Sequence, residues 1–178
     1  MVKRPKPQST PDLVEFTDER DRPLGVMPLP DVHRQSLRHR SVLVLVYNPE
    51  NKLYLQKRSE EKKLYPGRFD LSAAGHVRTG EARLDAAARE LQKELGLVAD
   101  RLRLVSEVPA SRETGFEFVS LFSAGKFAVE PKPNPREVSD GMFVDHAELA
   151  YMVMKFRELL TPGLVHFFEK RVLFPMDI

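Results

Sequence analysis

The segment from Gly75 to Leu97, GHVRTGEARLDAAARELQKELGL, leaves little freedom in how the chain around it can fold. Leu84, Ala87, Ala88, Leu91 and Leu95 recur in it at three- and four-residue intervals. That spacing predicts an amphipathic helix from about Glu81 to Leu95, its apolar face laid on a sheet. Gly96 predicts the left-handed residue that ends it. On such a helix Glu90 and Glu94 stand one turn apart and point the same way. Two carboxylates so placed repel, by roughly 1 kcal/mol at 4 Å in water and about 4 at an effective dielectric of 20. A divalent cation reverses the sign of that energy, and Mg²⁺ takes hard oxygen donors of this kind. A plain surface helix explains the periodicity but neither the flanking glycines nor Glu81.

The rest of the chain supplies a sheet for this helix. A length of 178 residues suits one domain with a full core. The expected division is a flexible tail over residues 1–11, rich in Pro and Lys, and a single domain over 12–175. Leu13 to Phe16 and Leu24 to Met27 flank the turn-rich TDERDRP and predict a small N-terminal hairpin. Asp31 is expected to cap a short helix running to Leu37. Val42 to Tyr47 reads as a strand buried on both faces, with Leu53 to Lys57 its partner across an Asn-Pro-Glu-Asn turn. A loop with Pro66-Gly67 leads to Asp70 to Ala74, and three further strands are expected at Leu102 to Val108, Phe116 to Ser123 and Gly141 to Val144. Three prolines keep residues 130–136 out of a central strand. Asp145 predicts a cap for a helix across Glu148 to Met154, and Thr161-Pro162 opens a last helix to about Leu173. The order predicts an α/β fold, an α/β/α sandwich around a mixed β-sheet.

Composition narrows the chemistry. A net charge of +2 does not call for nucleic acid, and no nucleic-acid partner is expected. There is no cysteine, which excludes disulfides, thiolate metal sites and cysteine nucleophiles and fits a cytoplasmic protein. The N-terminus is basic but lacks an apolar segment, and the longest apolar run is too short for a bilayer, so no membrane partner is expected. Oligomeric state leaves no mark in the sequence.

The Gly75–Leu97 segment resembles a Nudix box. Its pattern is Gly, five residues, Glu, seven residues, Arg-Glu-apolar, any residue, Glu-Glu, any residue, Gly, apolar. Gly75, Glu81, Arg89, Glu90, Leu91, Glu94, Gly96 and Leu97 agree, and Lys93 stands where the first of the paired glutamates belongs. The flanking stretch LRHRSVLVLVYN…LQKRSEEKKLYPGRFDLSAAGHV is similar to the isopentenyl-diphosphate isomerase branch, and that likeness runs from about Leu37 to Val144. It implies that Arg58 and Lys62 bind diphosphate. It matches His76 and His39 to metal-binding histidines and Glu117 to a glutamate used for metal and catalysis. The isomerase cysteine falls at Ala74, whose methyl cannot move a proton, and the isomerases lack a glutamate at the position of Glu90. An isomerase-like scaffold with hydrolase chemistry is therefore expected.

The resemblance implies Mg²⁺, or Mn²⁺, assisting attack of water on the diphosphate linkage of a nucleoside-diphosphate-type small molecule. Glu90 and Glu94 would hold the metal, with the Gly75 carbonyl and Glu81 as further candidates. Arg89 would fix a glutamate through a bidentate contact. Arg58 and Lys62 would hold phosphate, and Glu117 or Glu137 would serve as base. His39 reads as structural, because Arg38 and Arg40 would resist a nearby cation. Lys93 opens an alternative, a catalytically weakened Nudix-fold module that binds ligand or regulates.

Overall fold

A computed structural model describes residues 10–174. The expected tail therefore lies almost wholly outside the described residues, as does position 175. The chain runs β1 (Leu13–Thr17), β2 (Pro23–Pro28), α1 (Leu29–Arg34), β3 (His39–Tyr47), β4 (Leu53–Arg58), β5 (Phe69–Asp70) and β6 (Ala73–His76). It continues with α2 (Arg83–Leu95), β7 (Arg103–Val108), β8 (Glu117–Lys126), β9 (Val138–Val144), α3 (His146–Lys155), a 3₁₀ turn (Arg157–Leu159) and α4 (Pro162–Glu169). β1 and β2 form the small N-terminal hairpin.

The other seven strands make one mixed sheet, ordered β5-β4-β3-β8-β7, with β6 added to β3 and β9 to β4. Only β3 and β8 run parallel, with His39 opposite Glu117 and Leu45 opposite Ser123; the remaining pairs are antiparallel. The two-residue alternation of β3 separates two cores. Val42, Val44 and Val46 pack with Ala86, Ala87, Leu91 and Leu95 of α2. Leu45 and Tyr47 pack on the other face with Leu149 of α3 and Leu164 and Phe167 of α4. The sheet is thus held between helical layers.

Several local expectations need correction. Asp31 lies within the first turn of α1 and pairs with Arg34 at 2.6 Å; the helix begins earlier because Pro30 is already set for its first turn. It ends at Arg34, short of Leu37, since Ser36 turns left-handed at φ 52°. The segment from Asp70 to Ala74 joins two strands with different partners, β5 on β4 and β6 on β3. Between them the Ser72 hydroxyl donates to Tyr54 O and accepts from Val46 N. The last helix stops at Glu169, near Arg171 at φ 58°.

The face of α2 also differs from its apolar pattern. Leu84 is 49% exposed and Ala88 is exposed, while Ala86, Ala87, Glu90, Leu91, Glu94 and Leu95 are buried. Hydropathy assigns the glutamates to solvent. Here they form part of the inward stripe. Gly96 ends the helix in the left-handed conformation, as its position predicts, its N–H donating to Gln92 O.

Candidate functional site

Glu90 and Glu94 are 2% and 0% exposed. Buried carboxylates need partners, and most of theirs come from other elements. Glu94 Oε2 accepts from Gln56 Nε2 of β4 at 2.8 Å and from the Ala74 N–H of β6 at 3.0 Å. Its Oε1 faces Lys62 Nζ at 3.3 Å. Burial raises the Glu94 pKa, the charge of Glu90 adds to that, and Lys62, Ala74 N–H and Gln56 oppose it. Glu90 Oε1 is hydrogen-bonded by Arg89 Nη1. Its Oε2 lies 2.7 Å from Lys93 Nζ but off the hydrogen-bonding direction, and no donor satisfies it.

Arg89 is the organising cation. Nε and Nη2 form a fork on Glu81 at 2.7 and 2.8 Å, and Nη2 also donates to His76 O at 2.9 Å. Glu81 further accepts from Arg78 N–H at 2.9 Å, so both its oxygens are engaged just ahead of α2. These bonds, the Arg89 pair foremost, lower the Glu81 pKa. The bidentate contact expected of Arg89 thus goes to Glu81, and Glu90 receives the third arm.

The loop after β4 and the loop before β9 complete this cluster. Lys62 bonds Glu137, and Ser59 N–H donates to Glu137 O at 3.0 Å, tying the loops together. Lys93 Nζ is 3.9 Å from Glu137 Oε1. Burial works against the charge on Glu137, but Lys62 first, then Lys93 and Arg58, hold its pKa below the usual range. Arg58 donates to Asp70 Oδ2 at 3.2 Å and Leu64 O at 3.0 Å. Glu90, Glu94, Glu137, Arg58, Lys62 and Lys93 therefore gather from α2, two loops and a strand end.

A second cluster uses the start of β3 and β8 and the end of β6. His33 Nε2 lies 3.2 Å from His39 Nε2 and 3.3 Å from His76 Nε2. Glu117 Oε1 lies 3.2 Å from His76 Nε2 and 3.6 Å from His39 Nε2. One ligand atom from each of these four residues falls within 4.8 Å of the others. His39 Nδ1 donates to Leu37 O at 2.9 Å, which in the neutral ring leaves Nε2 as a lone pair facing the cluster. Burial, then His76 and His39, pushes the His33 pKa down to about 4. Despite burial, His76 and His39 hold the Glu117 pKa low.

His39 thus belongs to a candidate metal site, against its structural reading. Arg40 does not resist a cation there because it reaches away to Glu15 and Asp21, each at 2.7 Å. Alternation along the strand explains this. His33 carried no sequence signal beyond its six-residue distance from His39, and only the return of α1 onto the sheet brings it in.

Both donor sets fit a divalent ion in type. In the carboxylate set, the fit rests on the unsatisfied buried Glu90 Oε2 and on Gly75, where any Cβ would overlap the Glu90 carboxylate. In the histidine set, nitrogen donors favour a borderline ion such as Zn²⁺ or Fe²⁺.

A mixed sheet between helices, with a glutamate-bearing helix beside clustered basic side chains, is the arrangement of a Nudix fold. The chain belongs to the Nudix family: the NUDIX domain model matches residues 37–164. An uncharacterized Nudix hydrolase of Pseudomonas aeruginosa is 42% identical over 50% of this chain, so the matched part spans about half (53%) of that relative. An isopentenyl-diphosphate Delta-isomerase of Streptomyces griseus is 34% identical over 78% of this chain and 73% of its own. A crystal structure from Deinococcus radiodurans shares the fold, with TM-score 0.78, 24% identity, and 89% and 98% of the two chains covered. No helix among the described residues is long and apolar enough to cross a membrane.

Proposed function

We propose that this chain hydrolyses a diphosphate linkage in a nucleoside-diphosphate-type small molecule, with Mg²⁺ or Mn²⁺ held by Glu90, Glu94 and the Gly75 carbonyl. One observation supports the reading most: three carboxylates, Glu90, Glu94 and Glu137, and two lysines, Lys62 and Lys93, from a helix and two loops meet in one ion-paired cluster. The bound ion would make water more acidic and offset charge on phosphoryl oxygens. Arg58, anchored by Asp70, presents a fixed charge to phosphate, and Lys62 and Lys93 present mobile ones. Arg89 and Glu81 act as positioning residues that fix Glu90.

Glu137 is the better candidate base, because it shares Lys62 with Glu94. Transfer of the Lys62 ammonium to phosphate frees the Glu137 carboxylate to take a proton from water. The water oxygen bonds to one phosphorus, and the bond to the bridging oxygen breaks. Glu117 is committed to His76 and His39 instead. The isomerase activity of the Streptomyces relative does not transfer, since Ala74 offers no proton at the position matched to the isomerase cysteine.

A second reading, a ligand-binding module without turnover, draws on the ammonium groups that already face the box carboxylates. A hydrolysis screen of diphosphate compounds with Mg²⁺ and Mn²⁺ tests the two. Metal-dependent turnover lost in Glu94→Gln supports the hydrolase. Ligand binding with no turnover on any compound, in wild type as in the variant, overturns it.

A further inference from the structure

We propose that Lys62 and Lys93 make metal uptake by the box carboxylates conditional on a bound diphosphate. In the free protein the two ammonium groups pair with Glu90, Glu94 and Glu137; on binding they pass to phosphate oxygens and leave the carboxylates to the ion. The inference rests on the diphosphate reading above and adds an order of events to it.

The charges make the case. Glu81, Glu90, Glu94 and Glu137 carry four negative charges, and Arg89, Lys62 and Lys93 carry three positive ones, so the cluster stands at −1 with its cations in place. Little is left for a free dication to neutralise. An ion entering alone must either sit against two ammonium groups or expel them from Glu90 and Glu94, which water barely reaches. A diphosphate changes this by offering the displaced ammonium groups new oxygens.

The three basic groups are not equivalent. The Arg58 guanidinium is tied to Asp70 and to Leu64 O, so it stays where it is when ligand arrives. Lys62 and Lys93 are rotatable point charges on flexible stems, and their side chains keep 21% and 36% exposure. Each touches a buried box glutamate on one side and Glu137 on the other, with part of its side chain in solvent. Lys93 occupies a position three residues after Glu90 on the same helix face, so a short rotation moves its ammonium off Glu90 Oε2. Glu90 Oε2 makes no hydrogen bond, so the Lys93 ion pair is the one contact an ion must displace there.

The test is a Mn²⁺ titration read by electron paramagnetic resonance, with and without methylenediphosphonate, a diphosphate that cannot be hydrolysed. Wild type is compared with Glu94→Gln, or with Glu90→Gln should the first not fold. Ions taken by His33, His39, His76 and Glu117 cancel in the difference. Without diphosphonate, wild type and Glu94→Gln should bind the same amount of Mn²⁺. With it, wild type should take one further ion. Lys93→Gln should bind that ion without diphosphonate, at least about 10-fold more tightly than wild type does, because one repelling charge is gone. Lys62→Gln should move in the same direction. Glu94-dependent uptake by free wild type, or unchanged metal affinity in both lysine variants, overturns the ordered uptake alone. No Glu94-dependent ion under any condition overturns the metal assignment of the proposed hydrolase with it.

Discussion

Replacing Gly75 with alanine tests how closely β6 and α2 are fitted. A Cβ on Gly75 would overlap Cγ, Cδ and Oε1 of Glu90, a side chain that is buried and held by Arg89. Forcing an extra methyl into a packed site costs about 1–3 kcal/mol. The smaller unfolded-state entropy of alanine returns roughly 0.4–1 kcal/mol. The net expectation is a loss of about 1–2 kcal/mol, or roughly 2–8 °C in Tm for a domain of this size. The same change in a Glu90→Ala background no longer meets those atoms, so its penalty should shrink by about 1 kcal/mol or more. Urea unfolding of the four proteins of this cycle, in EDTA to exclude metal, gives the coupling directly. Penalties that add within about 0.5 kcal/mol would refute the steric argument.

Thr161 is buried at the start of α4, accepting from Leu164 N–H at 3.3 Å and donating to Asp70 at 2.8 Å. Thr161→Ala should cost about 1–2 kcal/mol in urea unfolding, and Thr161→Ser much less. Acid should weaken the metal-free protein through His33. Its pKa lies at about 4 folded against 6.5 unfolded, so the unfolded chain binds the extra proton between these values. The contribution of His33 to stability is therefore constant above about pH 6.5 and falls as pH drops towards 4. In Tm measured against pH, His33→Asn should show a shallower decline across that window; an unchanged slope would remove His33 from the account.

Much of the frame was legible in local patterns. The Asp145 capping box and the Thr161-Pro162 start of α4 appear where the residues predict them, because a cap depends on neighbours three positions away. The inward stripe of α2 was legible only in part. Leu84 and Ala88 count as apolar yet face out, and two glutamates face in, since the stripe is selected by what the sheet offers: Gln56, the Ala74 N–H and Lys62.

The sequence by itself determined the Nudix family, the glutamate helix with its glycine stop, the succession of strands around it and the near neutrality of the chain. These follow from spacings within a few residues, where helix and strand periodicities act. Tertiary structure alone decided that His33 joins His39, His76 and Glu117, and that Arg40 turns away from them. It also decided that Lys62 and Lys93 rest on the box carboxylates. Those contacts join elements as far as 84 residues apart, as with His33 and Glu117. They depend on sheet register and on the way a loop folds back, which no local period encodes.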